Sequence, residues 1–314
     1  MNLLYRFNMW LENHLPRSKV GNFVVGKLGS LSEKITNLLM PVYYRLTRIF
    51  HTSGVNQQEK REQKIVVSLT SFPARINTVW LTIESLMRQT LKPDVIILWL
   101  GEDQFTGIDS LPKSLKKQQK RGLTIEFCED IKPHKKYYYA FQKYRNDLII
   151  TVDDDIFYPN WIIEGLLILH KKFPNCICCN IAHLITFNED GEPNSYDDWL
   201  NNPKQINGPT KALLPTGVGG ILYPPNSIDD EVFNKESIKN FCLFADDIWL
   251  KVMSLRKGTS VVKNENFPRR LFHVASTQKV ALWKENVTMG RNDIQLKNII
   301  DYYNLNLNQL IKES

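Results

Sequence analysis

The stretch that decides the fold is Leu148-Ile149-Ile150-Thr151-Val152-Asp153-Asp154-Asp155. Its first five residues are apolar or β-branched without a charge, which is typical of a strand buried on both faces of a sheet. The run ends directly in three carboxylates. In open α/β sheets ligands bind beyond the carboxyl ends of the strands, so we expect these side chains to face a binding crevice.

The acidic triplet predicts a cation site. Adjacent carboxylates repel one another, and a divalent cation is the simplest group that offsets this repulsion. Residues i and i+2 of an extended backbone point the same way, so Asp153 and Asp155 are expected to share one cation while Asp154 points elsewhere. The alternative is a solvated loop in which one aspartate caps a helix that begins near Asn160.

Three more segments predict strands that precede this one: the apolar, β-branched run Ile65–Thr70, the apolar run Val95–Leu100, and Leu123–Cys128. Helical stretches separate them, and this alternation predicts an α/β fold with a mostly parallel sheet and helices on both faces. The 314 residues are 43% hydrophobic and 23% charged, which is ordinary globular usage. We expect an extension and linker over 1–60, a catalytic domain over 61–275 and a helical tail over 276–314.

A second acidic pair lies in Ala245-Asp246-Asp247. It precedes apolar residues at helical spacing, and Gly258 ends that series, so the pair is expected at a helix N-terminus. One carboxylate there can accept a proton from a hydroxyl group. The alternative is that Asp246 caps the helix and Asp247 complements its dipole.

A glycine-rich segment, Pro215-Thr216-Gly217-Val218-Gly219-Gly220, lies between the two acidic sites. Three glycines in four positions allow the backbone to approach a ligand closely. The segment matches neither a phosphate-binding loop nor a dinucleotide fingerprint. A simple tight bend is the alternative.

The N-terminal region is basic and amphipathic. Residues 1–60 hold eight Lys or Arg and three Asp or Glu, which is +5 of the net charge of +7. Residues 1–50 predict short amphipathic helices, with a kink at Pro41. Because the basic excess is not on the folded body, we expect no nucleic-acid partner. An anionic membrane, the chain's own domain and a partner chain are the candidate contacts, and the membrane is favoured.

The cysteines and the hydropathy indicate a cytoplasmic protein. The five cysteines are odd in number and fit neither a disulfide framework nor a zinc site, so we expect buried reduced thiols. No apolar run reaches the roughly 18 residues of a membrane span, and no secretory signal is recognisable.

With these motifs in order, the segment from Lys64 to His273 resembles the family 2 glycosyltransferases with the GT-A fold, especially bacterial enzymes of surface-polysaccharide assembly. The resemblance rests on the strand and turn Val67-Ser68-Leu69-Thr70-Ser71-Phe72-Pro73-Ala74-Arg75, the match of the triplet to an Asp-x-Asp motif, the glycine segment and the second acidic pair. It implies transfer of a sugar, with inversion, from a nucleotide-diphosphate donor, expected to be a UDP-sugar. The acceptor is then expected to be a hydroxyl of a glycan. The basic, amphipathic N-terminal region adds a lipid-linked oligosaccharide as a candidate acceptor and predicts a peripheral location on the cytoplasmic face of the inner membrane.

The resemblance also implies roles for individual residues. Asp153 and Asp155 would bind Mn²⁺ or Mg²⁺, with His273 as a third ligand, and Asp247 would be the catalytic base, although Asp246 stands where the family has Glu. The predicted donor-binding residues are Thr70, Phe72, Arg75, Asp103, Asp130, Lys136, Asp153 and Asp154. Lys135 is a further candidate for the diphosphate, and Trp199 and Trp283 are candidates for stacking on sugars.

Two other classes of protein remain open. Phosphohydrolases of the haloacid dehalogenase type also combine a strand-end Asp-x-Asp with a late acidic pair, but their nucleophile follows the first strand of the domain. A GT-A domain without turnover, which binds a sugar nucleotide or a polysaccharide, is the non-enzymatic alternative.

Overall fold

The structure is a computed structural model that describes residues 1–15, 18–58, 60–206, 208–275, 277 and 290–312. Ten strands occur in these ranges: β1 Ile65–Thr70, β2 Val95–Gly101, β3 Leu123–Cys128, β4 Leu148–Thr151, β5 Ile177–Cys179, β6 Ala182–Leu184, β7 Leu200–Asn201, β8 Leu213–Pro215, β9 Ile221–Tyr223 and β10 Val261–Lys263. The first four agree with the strands predicted from the sequence.

Seven strands form a central sheet in the order β10-β5-β9-β4-β1-β2-β3. The neighbours β1, β2, β3 and β4 are parallel, as are β5 and β10, while β9 runs antiparallel to β4 and β5. The strands β7, β6 and β8 form a separate antiparallel sheet. The predicted α/β class and the mostly parallel central sheet are confirmed.

Ten helices are described: α1 Asn2–His14, α2 Lys19–Thr47, α3 Val79–Met87, α4 Lys113–Gln119, α5 Lys135–Lys143, α6 Ile162–Lys172, α7 Lys235–Phe241, α8 Asp246–Lys257, α9 Arg291–Tyr303 and α10 Leu307–Lys312. In the described residues no helix combines the length and apolar character that a membrane crossing requires.

The central sheet is buried on both faces. Val67 and Leu69 of β1 join one hydrophobic cluster, and Val66, which precedes Val67, joins another on the opposite side. All four residues of β4 are buried, as expected for a strand in the middle of the sheet. Its carboxyl end therefore carries the acidic triplet to the edge of the sheet, between layers of helices.

The helical N-terminal extension predicted from the sequence is present. Tyr5 of α1 and Tyr44 of α2 are buried in the same cluster as β1. The prediction of short helices was wrong for α2, which spans 29 residues. Ser18 caps its start by accepting a hydrogen bond from the N–H of Gly21, and Pro41 lies inside it. Gly29 lets the helix come close to the loop near Arg270, because a Cβ there would lie 3.0 Å from Arg270 Cδ.

The thiols agree with the expectation of buried, reduced cysteines. All five are free, and four are buried, with Cys176 partly buried. Burial raises the pKa of Cys178 to about 12, so this thiol stays protonated and unreactive at neutral pH.

Candidate active site

A cleft of about 390 Å³ lies at the carboxyl ends of β1 and β4, next to the N-terminus of α8. Ten of the twelve predicted site residues line it: Thr70, Phe72, Arg75, Asp130, Lys136, Asp153, Asp154, Asp155, Asp246 and Asp247. Asp103 and His273 do not line it. Both acidic motifs, about ninety residues apart in sequence, therefore meet in one cavity.

Asp154 is tied to the turn that follows β1. Its carboxylate accepts hydrogen bonds from Ser71 Oγ and Arg75 Nη1, both at 2.5 Å. Burial raises the pKa of Asp154 to about 6, while Arg75 opposes this rise. Arg75 is itself almost buried, so the pair fixes the loop after β4 against the loop after β1.

Asp155 lies between a guanidinium and an imidazole. Its Oδ2 is 3.2 Å from Arg75 Nη2 and 3.9 Å from His273 Nδ1. Burial alone would raise the pKa of Asp155, but His273 and Arg75 outweigh it, so the pKa is lowered. Arg75 thus bridges Asp154 and Asp155, which is a role distinct from the nucleobase contact predicted for it.

Lys136 joins the two acidic motifs. Its Nζ lies 2.9 Å from Asp153 Oδ1 and 2.8 Å from Asp246 Oδ2. Burial opposes the charge of this lysine, but Asp153, Asp246 and Asp247 together raise its pKa well above the ordinary value. The ammonium is therefore charged, and it balances a cluster of three carboxylates.

Asp247 differs from its neighbours in its hydrogen bonding. One oxygen, Oδ2, accepts a bond of 3.0 Å from the N–H of Gly217. The other, Oδ1, is buried, and no described residue forms a hydrogen bond with it. Burial and the charge of Asp246 raise the pKa of Asp247 to about 8, although Lys136 lowers it. This carboxyl group can exchange a proton near neutral pH.

The prediction that an aspartate side chain caps either helix is wrong, although Asp246 and Asp247 do lie in the first turn of α8, where a carboxylate complements the helix dipole. The helix α8 begins at Asp246 itself, its N-cap is Ala245, and no side chain caps it. The helix after the triplet, α6, has Trp161 as its N-cap, again without a side-chain cap. Both acidic motifs instead direct carboxylates towards the cleft and its cations.

The glycine segment lies at the centre of the site. A Cβ on Gly217 would lie 2.6 Å from Lys136 Nζ, 2.8 Å from Asp153 Oδ1 and 3.4 Å from Asp247 Oδ1. Gly220 has a φ of +78°, a conformation that favours glycine. Residues 217–219 form a 3-10 turn, which agrees with the alternative of a tight bend. The close approach seen here is to side chains of the site, and approach to a ligand stays a prediction.

The residues predicted to hold a nucleobase surround the other side of the cleft. Thr70 Oγ1 donates to the carbonyl of Trp99 at 2.8 Å, and the Phe72 ring lies under the Arg75 guanidinium. Asp130 forms ion pairs with Lys132 and Lys135. Asp103 is exposed, near Gly101, at the margin of this group.

Other residues of the cleft did not emerge from the sequence as site residues. They are Ser71, Gln104, Lys132, Pro133, Tyr196, Phe244 and Asn292. Ser71 and Gln104 lie beside predicted residues in the sequence, so sequence proximity was a usable signal. Tyr196 and Asn292 come from distant segments and have no such signal. The N–H of Tyr196 donates to Asp293 of α9, so that helix supports this wall of the cleft.

The two tryptophans have different outcomes. Trp199 is buried, and its indole N–H donates to the carbonyl of Asn194, so it belongs to the core. Trp283 lies outside the described residues.

The chemistry of Asp155 and His273 suits a divalent cation. A carboxylate oxygen and an imidazole nitrogen are both ligands of Mn²⁺. In the described part of the chain, no group of three or more His, Cys, Asp or Glu residues could hold a metal ion. A cation here would fit the mode in which one or two protein ligands are completed by substrate phosphates and water.

Comparisons with solved structures show remote similarity. The chain is similar to the mannosyltransferase PcManGT from Pyrobaculum calidifontis, solved in complex with GDP-Man and Mn²⁺, at 9% identity, over 88% of this chain and 75% of that one, with a TM-score of 0.47. No protein-family model and no curated protein matches the chain. A similarity this remote says nothing about the donor or the metal of this chain.

Proposed function

We propose that the chain is a metal-dependent, inverting glycosyltransferase of the GT-A type, which moves a sugar from a nucleotide-diphosphate donor to a hydroxyl group. The observation that carries this proposal is the meeting of Asp153-Asp154-Asp155 with Asp246-Asp247 in one cleft, where Asp247 has a pKa of about 8 and a buried oxygen without a hydrogen bond to any described residue.

In this proposal Asp247 is the general base. Its Oδ2 is held by the N–H of Gly217, so Oδ1 is the oxygen that accepts the proton of the acceptor hydroxyl. A carboxylate whose pKa lies near the working pH is an effective proton acceptor, and such a base contributes about 10²- to 10⁴-fold in rate. Asp246, which pairs with Lys136, then has an electrostatic role.

The leaving nucleoside diphosphate needs positive charge. Lys136 and Arg75 lie in the cleft and are held by the carboxylates of both motifs, so they are oriented before the donor binds. Asp155 and His273 would hold Mn²⁺ or Mg²⁺, and Asp153 is a further candidate ligand. When bound, such a cation would stabilise negative charge on the diphosphate.

The donor nucleotide is proposed from the family resemblance. Thr70, Phe72, Asp103 and Asp130 are the candidates for its base and ribose, and three of them line the cleft. A UDP-sugar is the expected donor. A glycan or a lipid-linked oligosaccharide at the cytoplasmic face of the inner membrane is the expected acceptor, in surface-polysaccharide synthesis.

The phosphohydrolase hypothesis has less support. Such an enzyme would place its nucleophilic aspartate after the first strand of the domain, but β1 is followed by Ser71 and Phe72. The acidic triplet follows β4, the fourth strand along the chain. The GT-A proposal accounts for this position.

Calorimetric titration tests the proposal. The full chain is titrated with a panel of UDP-sugars and GDP-sugars, first with Mn²⁺ and then with EDTA. We expect one nucleotide class to bind with Mn²⁺ and to lose at least about tenfold in affinity with EDTA or in Asp155→Ala. Asp190→Ala, an exposed aspartate in a turn, is the matched control and should bind normally.

Turnover separates an enzyme from a binding domain. Asp247→Asn should retain donor affinity within a factor of about three but lose at least about 100-fold in transfer. Binding that ignores both metal and Asp155 would refute the assignment of the triplet. Donor binding by the natural chain without transfer to any acceptor would favour the non-enzymatic alternative.

A further inference from the structure

The N-terminal helices expose an unusual amount of apolar surface. Eighteen large hydrophobic side chains are exposed in the described residues, and fourteen of them lie in residues 1–50. Contiguous exposed apolar surface of this kind marks a protein or membrane contact.

The helix α2 is amphipathic, but its large apolar side chains lie on the exposed side instead of the buried side. Its buried side consists of Gly21, Gly29, Ser32, Thr36, Met40 and Tyr44, and the first four of these are small. Its large apolar residues point outwards, including Val24, Leu31, Leu38, Val42 and Leu46. Successive positions are four or seven residues apart, so they form one stripe, which we call the outer face of α2. Leu3, Phe7 and Trp10 form a similar exposed stripe on α1.

Cations lie within this apolar stripe. Lys27, Lys34 and Arg45 are exposed and alternate in sequence with the apolar positions. Lys27 lies over the ring of Phe23 and Arg45 over the ring of Trp80, with both side chains still open to solvent. Residues 1–50 contain two acidic residues, and neither is exposed: Glu12 is half-buried, and Glu33 pairs with Arg270. The outer face is therefore apolar and cationic, without exposed carboxylates to balance it.

This combination fits one occupant. A protein partner or a second copy of the chain would have to cover Lys27, Lys34 and Arg45, and a second copy would bring its own cations against them. At a lipid surface the apolar side chains enter the boundary between headgroups and acyl chains, and the long cationic side chains reach the phosphates. Each lysine or arginine near an anionic bilayer adds about fivefold to the affinity.

We propose that the outer faces of α1 and α2 are a docking surface for an anionic phospholipid bilayer, with α2 lying along the membrane plane. The helix is about 43 Å long. The proposal names the residues that contact the membrane and requires negatively charged lipid headgroups.

The other side of α2 holds the segment that carries His273. Glu33 accepts hydrogen bonds from the N–H of His273 and from Arg270, and Asn37 donates to the carbonyl of His273 and accepts from the N–H of Ala275. A helix is about 10 Å across, so docking would bring Asp155 and His273 close to the bilayer. This step, which rests on the proposed function, favours a lipid-linked acceptor.

Co-sedimentation with vesicles tests the docking without any turnover. The full chain is mixed with vesicles of phosphatidylcholine alone, or of phosphatidylcholine with about one third phosphatidylglycerol. We expect binding to the anionic vesicles at least about tenfold tighter than to the neutral ones. The triple variant Leu38→Gln, Val42→Gln, Leu46→Gln should lose at least about tenfold in affinity for the anionic vesicles.

The charge variant isolates the electrostatic part. Lys27→Gln, Lys34→Gln, Arg45→Gln should lose about 100-fold on anionic vesicles. The matched control, Lys113→Gln, Lys117→Gln, Lys120→Gln on and after α4, should lose less than about threefold. The pair Ile168→Gln, Ile294→Gln is the control for exposed apolar residues outside the N-terminal helices. All changes are at the surface, and unchanged thermal unfolding confirms that the variants fold.

Two results would overturn the proposal. One is a chain that stays in the supernatant with anionic vesicles. The other is a lipid-free dimer in analytical ultracentrifugation that the Leu38, Val42 and Leu46 variant converts to a monomer, since the outer face would then be an interface between two copies. Neither result bears on donor binding, so the proposed function is tested separately.

Discussion

The side-chain nitrogen of Lys136 lies 2.8 Å from Oδ2 of Asp246, so α5 is joined to the N-terminus of α8 by a buried ion pair. The same nitrogen contacts Asp153 on the loop after β4. One cation therefore sets the distance between the two acidic motifs. It also lowers the pKa of Asp247, which burial raises.

We expect Lys136→Met to change both the pH dependence of activity and the stability of the protein. Three carboxylates would lose their shared cation, so the pKa of Asp247 should rise further above 8. The pH at which kcat/KM rises should therefore move to a higher value. Breaking a buried pair also costs about 3–5 kcal/mol in the free energy of unfolding. The pH profile of kcat/KM and urea unfolding measure the two effects.

Lys143→Met, at the exposed end of the same helix, is the control for Lys136→Met. It should change stability by less than about 1 kcal/mol. An unshifted pH profile in active Lys136→Met would contradict the assigned role.

The glycine segment predicts a contrast between two similar changes. A Cβ on Gly217 would collide with Lys136 Nζ and Asp153 Oδ1, which are the ends of side chains and can move. A Cβ on Gly219 would lie 2.8 Å from both the Cβ and the backbone nitrogen of Ile181, which cannot move as easily. Gly217→Ala should shift this ion pair without removing either charge, so it should cost mainly activity, whereas Gly219→Ala should cost stability by about 1–3 kcal/mol.

Activity and urea unfolding of both glycine variants are measured side by side. If the two variants lost equal stability and equal activity, Gly217 would not be required specifically to leave room for the ion pair between Lys136 and Asp153.

The proposed base predicts the direction of the pH dependence. Burial and Asp246 raise the pKa of Asp247 to about 8, so most of this group is protonated in the free enzyme at pH 7 and cannot accept a proton. Because kcat/KM reports the free enzyme, it should rise with pH and level off above about 8. A profile that is flat from about pH 6.5 to 9 would remove Asp247 as the base.

The same carboxyl group should make the protein less stable at higher pH. The unfolded chain ionises Asp247 near its ordinary value of 3.8, whereas the folded chain keeps the proton up to about pH 8. The folded state thus binds more protons between these values, and this group's contribution to the free energy of unfolding falls as pH rises through that window.

Asp247→Asn removes this titration and keeps an oxygen for the N–H of Gly217. Its Tm should exceed that of the natural chain by a few degrees more at pH 8 than at pH 5. The comparison is made without divalent cations. A Tm difference that does not grow between the two pH values would mean that Asp247 ionises normally in the folded protein.

Much of the site follows from sequence, because it is built at strand and helix ends. The run from Leu148 to Val152 is apolar enough to require burial, and the carboxylates after it have no position other than the edge of the sheet. The series after Asp247, ended by Gly258, likewise fixes the start of α8. The sheet's parallel order then brings these ends towards one cleft.

Other features depend on tertiary contacts that periodicity does not report. The apolar stripe of α2 has the spacing of a core-facing helix, but the small residues Ser32 and Thr36 face the protein instead. Close approach to the rest of the chain favours small side chains, and a hydrophobic pattern alone cannot distinguish the two faces. The bridge from Arg75 to Asp154 and Asp155 depends on the relative placement of two loops, which the sequence does not specify.

The attachment of α1 to the site provides the last prediction. The hydroxyl of Tyr5, which is fully buried, donates to the carbonyl of Phe157 at 2.6 Å and accepts from the N–H of Phe272 at 2.9 Å. Phe157 follows Asp155 closely in sequence, and Phe272 directly precedes His273. The Tyr5 ring also stacks on Phe272 at 4.1 Å, so Tyr5→Phe keeps the ring contact and removes only the hydroxyl.

We expect Tyr5→Phe to lower the free energy of unfolding by about 1–3 kcal/mol, because a buried carbonyl and a buried N–H lose their shared partner. Tyr43→Phe, on the exposed side of α2, should change it by less than about 0.5 kcal/mol. Urea unfolding of both variants makes the comparison. Equal stability of the two would mean that α1 contributes little to the segments that carry Asp155 and His273, and a clear difference would make this helix part of the structure that supports the site.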